Sequence, residues 1–143
     1  MAHTKVGTAF TELVLNIFKL NGALLEAGNA LTKPVGQSSA RWQVMGCIDN
    51  QALSVATIAR IMGLARQSVQ RTADILVLEG LAKYEENPEH KRAQLLCLTK
   101  KGLLALEQIE TAQAAWANTL GKKLGKTELE AINAALARVL EVL

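Results

Sequence analysis

The sequence predicts a mainly α-helical domain in which two short helices and a small, charged β-hairpin sit between long terminal helices. Three observations carry this expectation. The chain of 143 residues is half hydrophobic but only 3% aromatic, with two prolines and a predominance of Leu and Ala, which favours an aliphatic, helical core. Ser54 and Gly63 bracket one short helical stretch, and a second runs from Arg66 to a stop at Gly80. Two short apolar runs then flank the polar segment Glu85–Arg92, which contains the turn-forming pair Asn87-Pro88. The length is that of one domain, so residues 1–143 are expected to fold as a single unit. Residues 38–100 form its central part, and 1–37 and 101–143 supply the terminal helices.

Each element has its own signal. Phe10, Leu13, Val14, Ile17, Phe18, Leu24 and Leu31 recur at helical spacing between Thr8 and Leu31. Leu15, Leu20 and Leu25 widen that stripe beyond one core-facing side, so either a second chain or later helices of the same chain must cover it. Thr32-Lys-Pro-Val-Gly36 breaks the helix. Ser38-Ser39 can cap the next one, Ala40–Ile48, with Trp42 as its core anchor. Ser54 caps Val55–Met62, and Gly63 ends it by accepting a left-handed conformation. The helix Arg66–Glu79 turns Val69, Ala73, Leu76 and Val77 inward. Two helices joined by a short Gly-containing turn make a helix-turn-helix.

Leu81–Tyr84 and Ala93–Leu98 read as the strands of a hairpin with a charged tip. Thr99 can cap a long helix carrying Leu103, Leu106, Ile109, Trp116, Leu120 and Leu124, which Gly125 interrupts. Thr127-Glu-Leu-Glu130 reads as a capping box for a last helix with the stripe Leu129, Ile132, Leu136, Val139, Leu140 and Leu143. The order of elements is that of a winged helix-turn-helix embedded between terminal helices.

The net charge of +3 is unevenly spread: 51–103 hold eight basic and five acidic residues, 1–50 four and three, and 104–143 four and five. A basic middle suits a polyanion, although an ordinary solvated surface would look the same on charge alone. No apolar run approaches the ~18–20 residues of a membrane span, and Glu12 interrupts the stretch that could act as a secretory signal. Cys47 and Cys97 form no C-x-x-C pair, lack His neighbours at ligand spacing and lie in apolar runs. They read as small buried hydrophobes, with neither a metal site nor a disulfide, in a cytoplasmic protein. There is no phosphate-binding Gly loop, no nucleophile elbow and no close acid–base pair, so neither an enzyme nor a cofactor is indicated.

An α-helix fits the DNA major groove and offers its N-terminal side chains to base edges. With Val69 at the centre of the buried face, Gln67 and Arg71 lie nearly opposite it, and Ser68 and Gln70 lie on the flanks. Arg can bond guanine bidentately and Gln adenine, while Ser reaches phosphate or base without specifying either. Arg66, in the first turn, is placed for backbone phosphate beside the helix dipole. On the hairpin tip, beside His90, Lys91 and Arg92 offer cations suited to a narrow minor groove.

These residues also resemble a known family. Leu53–Arg71 (LSVATIARIMGLARQSVQR) and Leu76–Ala82 look like the helix-turn-helix of the MarR/SlyA family of bacterial transcription regulators. Asn87-Pro-Glu-His-Lys-Arg92 followed by Leu98-Thr-Lys-Lys-Gly102 is similar to its wing, written D-P-x-D-R-R…L-T-x-x-G. The resemblance implies a homodimer, formed by the N- and C-terminal helices, that binds a pseudo-palindromic double-stranded DNA operator, usually as a repressor. It also implies a cleft for a small aromatic or phenolic effector. Ser54, Arg66, Gln67, Ser68, Gln70, Arg71, His90, Lys91 and Arg92 are the expected DNA contacts. Two departures stand out. His90 and Lys91 replace the family's Asp and first Arg, so the carboxylate that would orient Arg92 is missing. Ala65 replaces a capping residue at the start of the recognition helix. The alternatives are a winged-helix module that binds protein and an architectural DNA binder without an effector.

Overall fold

The protein is described here by a computed structural model covering residues 2–143. Two compact units divide the chain, one running to Ile109 and the other Glu110–Leu143. In the first, Thr4 accepts a hydrogen bond from the Gly7 amide and opens α1, Lys5–Thr32. The helix thus begins one turn ahead of its apolar stripe, because the cap and not the pattern sets the boundary. A single 3-10 turn, Lys33–Val35, ends at Gly36 with φ +69°. Ser38 then caps α2, Ser39–Cys47. At the crossing of α1 and α2 the Ser39 hydroxyl donates to the Leu25 carbonyl at 2.7 Å, and the Ser39 amide donates to Asn29 Oδ1 at 2.9 Å.

The Ser54 hydroxyl accepts from the Thr57 amide at 3.2 Å and opens α3, Val55–Met62, which closes on Gly63 in the left-handed region. The following helix, α4, spans Arg66–Leu78. Two strands follow, β2 at Ala82–Glu85 and β3 at Leu95–Leu98, paired antiparallel with Ala82 opposite Leu98 and Glu85 opposite Leu95. A two-residue strand, β1 at Leu53–Ser54, pairs along the other side of β3, so the sheet has three strands in the order β1-β3-β2. Two residues carry no alternation, which is why the sequence suggested a hairpin alone.

The core lies where α2, α3 and α4 meet this sheet: Val44, Met45, Ile48, Val55, Ile58, Val69, Ala73, Leu76, Leu81 and Leu96 are buried. Trp42, expected as the anchor of α2, is only half-buried against that cluster, and Met45 fills the central position instead. Val77 is likewise half-buried. Cys47 and Cys97 are free and partly buried, not fully enclosed as expected. Desolvation pushes both thiols up, and Glu85 adds to the effect at Cys97, so neither is a ready thiolate.

The end of α4 is tied to the start of α5, Lys100–Leu124. Gly80, with φ +74°, lets the Leu81 amide return to the Leu76 carbonyl at 2.9 Å. Three bonds of Thr99 stitch this junction: its hydroxyl donates to the Gly80 carbonyl at 2.6 Å, its amide donates to the Leu81 carbonyl at 3.0 Å, and its hydroxyl accepts from the Gly102 amide at 3.2 Å. Gly102 packs directly on that Leu81 carbonyl, where a Cβ would collide. The Thr and Gly of the L-T-x-x-G motif are thereby given physical reasons.

The second unit contains the rest of α5 and α6, Lys126–Val142. The expected capping box is not formed. Gly125, with φ +87°, is the one residue between the helices, and Thr127 lies inside α6 with no side-chain cap before it. Gly125 donates to Gly121 and accepts from Leu129, so the turn is closed by backbone alone.

Ser54→Ala is expected to cost about 1 kcal/mol by removing the α3 cap. Urea unfolding should show the midpoint shifted with an unchanged slope.

Candidate nucleic-acid interface

The position of α4 follows from its buried face. Val69, Ala73 and Leu76 face the core, which leaves Arg66, Gln67, Ser68, Gln70 and Arg71 exposed. Ala65 gives no side-chain cap, so the first amides of α4 are open at the end where Arg66 stands. The positive end of the helix dipole therefore faces outward beside a guanidinium.

The wing tip is folded by its own turn residues. Asn87 accepts from the Glu89 amide through its side chain and from the His90 amide through its carbonyl, at 3.1 and 3.2 Å. The Ala93 amide donates to the His90 carbonyl at 3.2 Å. His90, Lys91 and Arg92 are all exposed. Among the described residues, Arg66, Arg71, Lys91 and Arg92 have no carboxylate within ion-pairing distance, whereas Arg41 is paired with Glu79 at 2.9 Å.

A recess of about 240 Å³ lies between α4 and the wing. Ser54, Arg66, Gln70 and Arg92 line it together with Asp74, Tyr84, Ala93 and Gln94. Helix start and wing tip thus bring two arginines to one hollow. Gln67, Ser68, Arg71, His90 and Lys91 are not part of its lining. The Ser54 hydroxyl is already committed, accepting from the Thr57 amide and donating to Thr57 Oγ1 at 2.9 Å.

Two residues of this site were not anticipated. The Tyr84 hydroxyl donates to Asp74 Oδ1 at 2.6 Å, and Gln70 Nε2 approaches both, at 3.0 Å from Asp74 and 2.9 Å from Tyr84. Burial, reinforced by the Asp74 hydrogen bond and charge, pushes the Tyr84 hydroxyl up to about 12. The spacing of Gln70 and Asp74, one helical turn apart, was the available signal. Tyr84 had none, because only the pairing of β2 with β3 brings it under α4.

A protein-family model described as the MarR family matches residues 36–93. The uncharacterized protein Rv2011c of Mycobacterium tuberculosis is 35% identical over 131 residues, covering 92% of both chains. Among solved structures, a mutant MarR from E. coli complexed with operator DNA superposes with a TM-score of 0.81 at 22% identity, covering 96% of this chain and 99% of that one. CouR from Rhodococcus jostii RHA1, bound to p-coumaroyl-CoA, superposes with a TM-score of 0.78 at 19% identity, covering 89% and 90%. The helix-turn-helix and the hairpin wing are those of the MarR fold, and residues 36–93, which hold most of both, match the MarR family model.

Proposed function

We propose that the chain is a sequence-specific regulator of transcription that binds a pseudo-palindromic double-stranded DNA operator as a homodimer and represses until a small effector binds. The observation that carries this is the convergence of Arg66, from the start of α4, and Arg92, from the wing, on one recess beside the exposed face of Gln67, Ser68 and Arg71. In this assignment Gln67, Gln70 and Arg71 meet base edges, and Arg66, Ser68 and, by turning its hydroxyl proton from Thr57, Ser54 meet the backbone. His90, Lys91 and Arg92 enter or flank the minor groove. The solved MarR–operator complex supports the same partner.

A second copy of the chain is the natural cover for the apolar residues of the terminal helices. Phe10, Phe18 and Leu24 of α1 stand 43%, 67% and 49% exposed, and no residue of α6 is buried. A small aromatic or phenolic anion is the proposed effector class; CouR, a neighbour in fold, binds a phenolic acyl group carried on coenzyme A. A hollow of about 350 Å³ lined by Leu81, Leu104 and Lys101 is the candidate place for it; Glu79 also lines this hollow, its carboxylate paired with Arg41 and its carbonyl accepting from the Lys101 ammonium at 2.9 Å. The proposed location is the cytoplasm; among the described residues, no helix is long and apolar enough to cross a membrane.

The direct test is selection of bound duplexes from a random pool by the purified protein, expected to return a palindrome. Binding should weaken with salt at a log–log slope of about −0.9 per phosphate contacted. A protein-interaction module would select no sequence and respond weakly to salt.

Arg71→Ala is expected to cost about 1–3 kcal/mol on the operator and to flatten the preference at one base pair per half-site. Arg92→Ala should weaken operator and A·T-rich random DNA alike and make the salt slope shallower by about one per subunit. Isotherms at two salt concentrations distinguish the two. Equal losses from Arg71→Ala on operator and random DNA would misplace the recognition face.

A further inference from the structure

Beside α4 lies a closed triangle of polar atoms that contact with phosphate does not require. The Tyr84 hydroxyl is 2.6 Å from Asp74 Oδ1, and Gln70 Nε2 is 3.0 Å from that oxygen and 2.9 Å from Tyr84 Oη. The chemistry of these groups decides which end of the amide faces inward. The Asp74 carboxylate offers only lone pairs, and the single hydroxyl proton of Tyr84 is committed to it, so both neighbours of Gln70 are acceptors. The amide nitrogen must point in and the carbonyl oxygen out.

The triangle also decides how many amide hydrogens are used. Its nearly equal sides make the two acceptors subtend an angle at Nε2 far narrower than that between the two hydrogens of an amide. One hydrogen is therefore shared between them as a three-centre bond. The other is used by neither neighbour. Gln70 thus keeps its carbonyl oxygen and one amide hydrogen for a partner, with its nitrogen gripped from behind. Adenine offers the complement in the major groove, N6–H and N7. An untethered Gln would lose rotamer freedom on binding and could turn either end toward the bases. Arg66 and Arg92 line the same recess and offset the Asp74 charge near phosphate.

We propose that Asp74 and Tyr84 are positioning residues for sequence selectivity, fixing the Gln70 amide in the orientation that reads an adenine of the operator. The proposal rests on the DNA-binding function above and deepens it.

The test compares wild type with Gln70→Ala, Tyr84→Phe, Asp74→Asn and the Gln70→Ala/Tyr84→Phe pair. Each is used first in selection from random duplexes and then in titrations of the selected site with single base pairs replaced. Wild type should favour A·T over G·C at one position per half-site, and Gln70→Ala should erase that preference. Tyr84→Phe, which removes one oxygen, should weaken it about three- to tenfold. Asp74→Asn, whose amide can turn either end to Gln70, should weaken it as well. The double variant should match Gln70→Ala alone, a non-additivity that a merely structural role for Tyr84 would not produce. If Gln70→Ala loses the preference while Tyr84→Phe and Asp74→Asn keep it, the positioning role is overturned and DNA reading by α4 stands. If wild type selects no sequence, the DNA-binding function falls and this inference with it.

Discussion

Inserting 5 bp between the two half-sites of the operator is expected to reduce binding to the level of random DNA. A two-fold dimer presents its two α4 helices to successive major grooves on one face of the duplex, with half-site centres about 10 bp, or 34–36 Å, apart. Half a helical turn of extra DNA carries the second half-site to the opposite face. The protein then retains its phosphate contacts but can read only one half-site. Specific sites of such proteins bind about 10³-fold or more tighter than random sequence, and most of that margin should disappear. An insertion of 10 bp should recover part of it, because the face is restored although the span is lengthened. Fluorescence anisotropy titrations at one fixed salt concentration measure both. Unchanged affinity after the 5 bp insertion would mean that the subunits bind independently, contradicting the proposed dimer.

Gly102→Ala should be the most damaging single methyl in the winged part. The new Cβ would run into the Leu81 carbonyl, which is backbone and already accepts from the Thr99 amide. Overpacking costs about 1–3 kcal/mol, and breaking a buried hydrogen bond to relieve it costs about 1–3 more. The better helix propensity of Ala returns about 1. A net loss of about 3 kcal/mol corresponds to a fall in Tm of about 10 °C for a chain of this size. The matched control is Gly46→Ala, within α2, where a Cβ meets nothing within 4 Å. That change should stabilise by about 0.5–1 kcal/mol, from propensity alone. Thermal unfolding of the pair measures both, and a neutral Gly102→Ala would show that the α4–α5 junction is looser than the packing indicates.

The parts of the fold legible in the sequence are those whose boundaries are made by single residues. The helix α3 was anticipated at both ends, because Ser54 caps it and Gly63 ends it at φ +64°. For α4 the anticipated end was one residue too long, the chain leaving the helix at Leu78 before the turn at Gly80. The last helix shows the opposite case. Thr127-Glu-Leu-Glu130 has the composition of a capping box, but the preceding helix runs to Leu124 and Gly125 alone turns the chain. A local motif cannot register how little chain the neighbouring helix leaves free. The size of Trp42 suggests full burial, but the roll of α2 is set by Val44, Met45 and Ile48 together, which leaves Trp42 half-buried.

The candidate site divides in the same way. The exposure of Gln67, Ser68 and Arg71 follows from helical periodicity once Val69 is placed inward. The engagement of Gln70 with Tyr84 joins residues fourteen apart through a strand pairing, and no periodicity reports such a bond.

The three bonds of Thr99 have a mechanical consequence. They fasten the rear of α4 to the first turn of α5, while the front of α4, at Ala65, is left without a side-chain anchor. Together with the Tyr84 bonds to Gln70 and Asp74, they give α4 polar ties at its middle and its rear, and leave its first turn, which carries Arg66 and Gln67, held by the packing of Val69 alone.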